Sequence, residues 1–142
     1  GWNMQLHMSA AQLVEYADVI RKLECRVVID HMGRLDPALG VKDPAFPFIQ
    51  EMIDRGSTWV KLSGPYLNSR TGEPWADATE TAIAIAEFAP ERVVWGSDFP
   101  HVTEAVKPEE TALVETIPIW LPTEKARQLA LTDNPRELYG FV

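Results

Sequence analysis

A chain of 142 residues, 46% hydrophobic and 24% charged with no low-complexity tract, has the length and make-up of one globular domain. Its net charge of -8 excludes a nucleic-acid surface, because no basic patch stands ready to displace phosphate counterions. The single cysteine, Cys25, excludes an internal disulfide, and no apolar run has the length of a membrane helix.

The same unit recurs four times along the chain. Trp2 to His7 reads as a strand, with Asn3, Gln5 and His7 on one face and Trp2, Met4 and Leu6 on the other. Ser9 and Gln12 then form a capping box for a helix running to about Leu23. Cys25, at the start of the second strand, reads as a buried, inert thiol. Arg26 to His31 is that strand, and a loop through Gly33, Pro37 and Gly40 leads to a helix opened by Asp43-Pro44 and closed by Gly56. Thr58 to Ser63 is the third strand, followed by a long loop from Gly64 to Trp75. Asp77 and Glu80 cap the next helix, which Pro90 ends. Arg92 to Ser97 is the fourth strand. Helices are predicted from Glu110 to Ile117 and from Thr123 to Leu131, before a last turn opened by Asn134-Pro135.

This spacing is that of βα units with right-handed crossovers and a parallel sheet. An open doubly wound sheet and half of an eight-unit barrel both satisfy it. The polar face of the first strand favours the barrel, because an open sheet covered on both faces expects near-continuous apolar strands. The chain opens at Gly1 without methionine and is already strand-like at Trp2, which reads as a cut end.

Two strand ends finish in ionisable residues, where α/β folds collect their reactive groups. Val28-Ile29-Asp30-His31 runs into Gly33 and Arg34, and Val94-Trp95-Gly96-Ser97-Asp98 runs into Pro100 and His101. His31 shares the parity of Val27 and Ile29, expected to point into a barrel. From pattern alone its imidazole can ligate a metal, hydrogen-bond a carbonyl oxygen, or be satisfied by the backbone. Asp98 shares its face with Val94 and Gly96; it suits a metal ligand and general base, or a plain loop-start cap. Trp75 and Trp95 read as packing residues.

These segments, with Gln5-Leu6-His7-Met8, Val60-Lys61-Leu62-Ser63-Gly64-Pro65-Tyr66 and the closing Asp133-Asn134-Pro135-Arg136, resemble the amidohydrolase superfamily. More closely, the chain is similar to the lactonase-like branch that includes 2-pyrone-4,6-dicarboxylate lactonase. The resemblance runs nearly end to end but covers only strands five to eight of a (β/α)8 barrel. The family's His-x-His on strand one occurs nowhere in this sequence. It therefore implies an α/β chain, residues 1–142, forming the C-terminal half of a TIM (β/α)8 barrel with the N-terminal half absent.

The resemblance further implies a hydrolase of a lactone or cyclic ester of a small, often carboxylated acid. Asp98 is the expected base and His31 polarises the carbonyl. His7, His31 and Asp98 are the expected metal ligands; zinc or manganese fits this chemistry without being required by it. Arg34 is expected to clamp a substrate carboxylate, with Tyr66, Ser63 and His7 lining the substrate. In relatives an arginine often follows this tyrosine; here Leu67 and Asn68 stand there, and Arg70 is the nearest substitute. His101, at the mouth of the last loop, is expected to stand behind the ligands or at the rim and not to be a ligand itself. The runner-up chemistry is a metal-assisted decarboxylation of an aromatic or unsaturated acid. The contrasting reading is an inactive fragment or an association module. Two unpaired strand edges and a bare inner face favour an oligomer. The expected partner is a small-molecule substrate, with no nucleic acid or membrane, in the cytoplasm.

Overall fold

The computed structural model describes residues 2–141. Its centre is a four-stranded, wholly parallel sheet in sequential order: β1 Asn3–Leu6, β2 Arg26–Ile29, β3 Thr58–Leu62 and β4 Val93–Trp95. The strands are shorter than the sequence pattern suggests, because each gives way to a turn just before its reactive residues. Among the described residues no helix is long and apolar enough to cross a membrane.

One face of the sheet packs on helices. Val27 and Ile29 of β2, Val60 and Leu62 of β3 and Val93 of β4 join a single core with α1 (Ala10–Glu15), α3 (Ala45–Asp54), α4 (Ala76–Phe88) and α5 (Glu110–Trp120). The opposite, inner face carries Val28, Trp59 and Val94, and α7 (Asn134–Tyr139) lays Leu138 against them. The guanidinium groups of Arg26 and Arg92 flank the Trp59 ring, 5.7 and 4.6 Å from its centroid. The expected bare inner face is therefore covered at its lower end, and only its upper end, above Gln5 and Lys61, stays polar. The outer edges of β1 and β4 pair with no strand among the described residues.

Several helices depart from their predicted course. Ser9 and Gln12 do form the capping box, but the helix kinks at Tyr16 into α1 and a short α2 (Ala17–Ile20). Tyr16 keeps its carbonyl bonded to the N–H groups of Val19 and Ile20, so the break is a kink and not a loop. Asp77 is not a cap, since α4 begins at Ala76 behind Trp75 in the left-handed region. Its carboxylate instead takes the Ser69 and Thr71 hydroxyls and the Arg70 N–H, stapling the preceding loop. Helix α5 passes Ile117 and carries Pro118 in its last turn, with buried Trp120 holding the end in the core. Beyond α6 (Glu124–Gln128) a π turn, Leu129–Asp133, leads into α7. Asn134 then donates to the carbonyls of Pro90 and Val93, 2.8 and 2.7 Å away, clamping α7 to the foot of β4. Cys25 is half-buried rather than buried.

Candidate active site at the strand ends

His31 reaches the inner face by a route its strand parity does not give. Val27 and Ile29 face the helices, so a continuing strand would send His31 to the same side. Instead β2 stops, and His31, Met32, Gly33 and Arg34 adopt φ of 52°, 54°, 74° and 48°, one turn of left-handed backbone. That turn drops Met32 into the core and swings the imidazole to the inner side. Each left-handed non-glycine residue costs about 1–2 kcal/mol, a strain held only where the surroundings over-determine it.

The surroundings here are dense. The His31 ring is 3% exposed. Its Nδ1 lies 2.9 Å from Ser63 Oγ, and its Nε2 lies 3.2 Å from His7 Nδ1 and 3.7 Å from Asp98 Oδ1. Asn68, also buried, donates its amide to the His31 and Gly64 carbonyls. Burial is the largest influence on the imidazole and pulls its pKa below the ordinary value; the Asp98 and Asp30 carboxylates pull the other way without overcoming it.

Asp98 lies beyond the end of β4 at φ 67° and comes within reach of the His31 ring. A Cβ at Gly96 would stand 3.8 Å from the Lys61 stem, an ordinary contact. Tyr66 donates its hydroxyl to Asp98 Oδ2 at 2.6 Å. Burial, then that bond and the carboxylate's charge, raise the Tyr66 pKa, so the phenol keeps its proton. Of the two placements expected for His101, the structure shows the one behind the site and not the open rim. The ring is buried, with Nδ1 3.0 Å from the Tyr66 hydroxyl and Nε2 2.9 Å from Glu110 Oε1.

Metal-donor atoms also gather here. One nitrogen each from His7 and His31 and one oxygen of Asp30 lie within 4.8 Å of one another. Two imidazoles and a carboxylate form a donor set suited to zinc or manganese. Asp30 Oδ1 is buried without a well-directed hydrogen bond. Lys61 Nζ nonetheless sits 2.6 Å from it as a close charge contact, while donating to Gln5 Oε1 at 2.7 Å. The donors fit a divalent ion, and Lys61 is the cation that would compete with it. Asp98 stands beside this group, not within it.

The remaining expected residues are placed as follows. Ser63 is buried and engaged by His31. Arg34 lines a groove of about 520 Å³ with Ser9, Ala10, Val14, Asp36 and Leu39. It forms no hydrogen bond among the described residues. Arg70 is not a free substitute clamp, because Asp36 Oδ1 holds its guanidinium at 2.9 Å on the exposed surface. Trp75 is buried packing, and Trp95 packs against the same core. Sequence reasoning passed over Asp30, Lys61, Asn68 and Glu110. Lys61 was the findable one, a charged residue interrupting an otherwise apolar strand.

Imidazoles and carboxylates thus converge above the strand ends of a parallel α/β sheet. Residues 1–141 match the amidohydrolase family, and the chain belongs to it. It is 36% identical to the D-galactarolactone isomerase of Agrobacterium fabrum over 97% of its length, covering 48% of that protein. It is 35% identical to a 2-pyrone-4,6-dicarboxylate hydrolase of Comamonas testosteroni, covering 98% of this chain and 49% of that one. With the 4-sulfomuconolactone hydrolase of Rhizobium radiobacter it shares 31% identity over 99% of its length and 48% of the relative's. The chain thus spans about half the length of the curated relatives it matches. An apo crystal structure from Agrobacterium tumefaciens superposes with a TM-score of 0.88 at 34% identity, covering 99% of this chain and 51% of that one. A Burkholderia multivorans amidohydrolase with bound zinc shares the fold at a TM-score of 0.78 and 17% identity, over 99% of this chain and 53% of that one.

Proposed function

We propose that the protein opens the lactone ring of a small, carboxylated organic acid by attack of water on the ring carbonyl. In this reading residues 1–142 are the C-terminal half, strands five to eight, of a (β/α)8 barrel. Asp98 takes a proton from the attacking water through Oδ1, the oxygen that Tyr66 leaves free. A bond forms from water to the carbonyl carbon, the ring C–O bond breaks, and the proton passes from Asp98 to the departing alkoxide. His31, kept neutral by burial, accepts the Ser63 hydroxyl at Nδ1 and presents Nε2–H to the carbonyl oxygen. Arg34 and His7 contact the substrate. Ser63 and Tyr66, expected as substrate donors, act through His31 and Asp98, which their hydroxyls already hold. A divalent metal would be held by His7, His31 and Asp30; taken at Nε2 of His31, it would replace the Nε2–H and supply the carbonyl polarisation in its place.

The observation that carries this reading is the convergence of His31 and Asp98, 3.7 Å apart, from beyond the ends of β2 and β4, which flank β3 in the parallel sheet. Its support is the names of the relatives, two hydrolases and one isomerase of lactone or pyrone rings. The test is turnover by the protein at its natural length of D-galactarolactone, 4-sulfomuconolactone and 2-pyrone-4,6-dicarboxylate, followed by pH-stat. Hydrolysis releases an acid with each turnover; isomerisation does not, and acid-free conversion would replace water with a substrate hydroxyl as the attacking group. Asp98→Asn should lower kcat at least about a hundredfold. Near-parental hydrolysis by that variant would remove Asp98 as the base.

A further inference from the structure

His101 and Glu110 take no part in the proposed chemistry, yet both ring nitrogens of a buried histidine are spent on this arm of the site. Three contacts stand in series: Glu110 Oε1 to His101 Nε2 at 2.9 Å, His101 Nδ1 to the Tyr66 oxygen at 3.0 Å, and that oxygen to Asp98 Oδ2 at 2.6 Å. Each gap between two such atoms needs one proton. The phenol has a single proton, and the short contact with a carboxylate is where a charge-assisted hydrogen bond places it. The gap toward His101 must then be filled from the ring by Nδ1–H, and the gap toward Glu110 by Nε2–H. The ring thus carries both protons, with the Glu110 carboxylate balancing its charge. A bare Nδ1 would be a competing acceptor, drawing the phenol proton away and leaving Asp98 Oδ2 facing an oxygen lone pair. Glu110, in the first turn of α5, holds the ring in place by its far nitrogen. The ring also stands edge-on to Tyr66 and to Phe99, with centroids 5.7 and 6.2 Å away.

We propose that His101 and Glu110 are a positioning pair for the base: by offering Nδ1–H to the phenol oxygen they direct the Tyr66 hydroxyl onto Asp98 Oδ2, which leaves Oδ1 turned toward His31. The functional half of this proposal rests on the reading of Asp98 as the base; the geometric half does not.

The test has two arms. In unliganded protein of natural length with ¹⁵N-labelled histidine, His101 should show a proton on Nδ1 in slow exchange at neutral pH. That signal should vanish in His101→Asn and broaden in Tyr66→Phe. A His101 protonated on Nε2 alone, with Nδ1 bare, would overturn the proposal whatever the protein's activity. The kinetic arm uses whichever of the three lactones is turned over. His101→Ala and Glu110→Gln should lower kcat by about tenfold or more while KM stays within about twofold, the size of losing an aligned hydrogen bond to a charged group. His101→Asn, whose amide N–H can stand where Nδ1–H stood, should recover most of that loss. An Asn variant as poor as the Ala variant, or a rise in KM at unchanged kcat, would refute the positioning role. If none of the lactones reacts, the lactonase reading falls, and the NMR arm still decides the placement of the proton.

Discussion

Gly64→Ala tests how tightly the backbone is drawn around the imidazole. Gly64 sits at φ 55°, and a methyl group there would stand 2.9 Å from His31 Nδ1 and 3.2 Å from Leu67 Cδ1. The leucine methyl can give way. The imidazole cannot, because Ser63, Asn68 and its own left-handed turn fix it. Relief to an ordinary contact of about 3.4 Å requires a shift of about 0.5 Å (3.4 − 2.9), enough to spoil a reacting geometry. The left-handed φ adds about 1–2 kcal/mol, so the expected loss of stability is about 2–3 kcal/mol. The expected fall in kcat is more than about tenfold. Gly72→Ala is the control: its φ is 70°, but nothing lies within 4 Å of the added methyl. It should show the backbone cost alone in urea unfolding, with lactone turnover near the parental rate. Equal stability and equal kcat for the two variants would refute the idea that Gly64 is required by the ring.

Three further outcomes follow from particular contacts. Asn134→Ala strands two main-chain carbonyls at the foot of β4, and the urea midpoint should fall by the equivalent of about 2–4 kcal/mol. His31 has a folded pKa below its ordinary value, so the unfolded chain binds more protons between the two; its contribution is present above about pH 6.5 and is lost as pH falls below that, and His31→Gln should flatten this slope in unfolding measured with chelator present. Asp77 is pushed up by burial but held at about 2 by its three loop donors, so Asp77→Asn should speed proteolysis between Gly64 and Trp75 at neutral pH and lose that difference as acid neutralises the carboxyl.

The framework of the fold was legible because it rests on local chemistry. Strand positions followed from β-branched runs, and the Ser9–Gln12 capping box from its spacing. The Asp98 segment was legible as a strand end, but β4 stops at Trp95 and Asp98 reaches His31 from a left-handed backbone position beyond the ladder. What failed was legible only in three dimensions. Asp77 has the spacing of a cap but finds better donors in the loop it staples. Arg70 has the charge of a clamp, but Asp36, distant in sequence, already occupies it. His101 reads as a loop residue until α5 brings Glu110 to its far nitrogen.

His31 reaches the inner side by a geometry that its strand parity does not give. The alternation of β2 assigns Val27, Ile29 and His31 to one face, and the core confirms that face as the helix side for the first two. An imidazole left there would face the apolar core on the helix side of the sheet. The left-handed turn reverses it, and the reversal has a local signature: Gly33 is the one residue of the four for which φ near 74° carries no steric cost. The other three are retained in that conformation because each side chain gains a separate destination. Met32 enters the core, Arg34 lines the groove beside α1, and His31 meets Ser63, His7 and Asp98. Strand parity therefore holds only to the last ladder residue. Beyond it, the direction of a reactive side chain is set by the turn, which is where this chain concentrates its backbone strain.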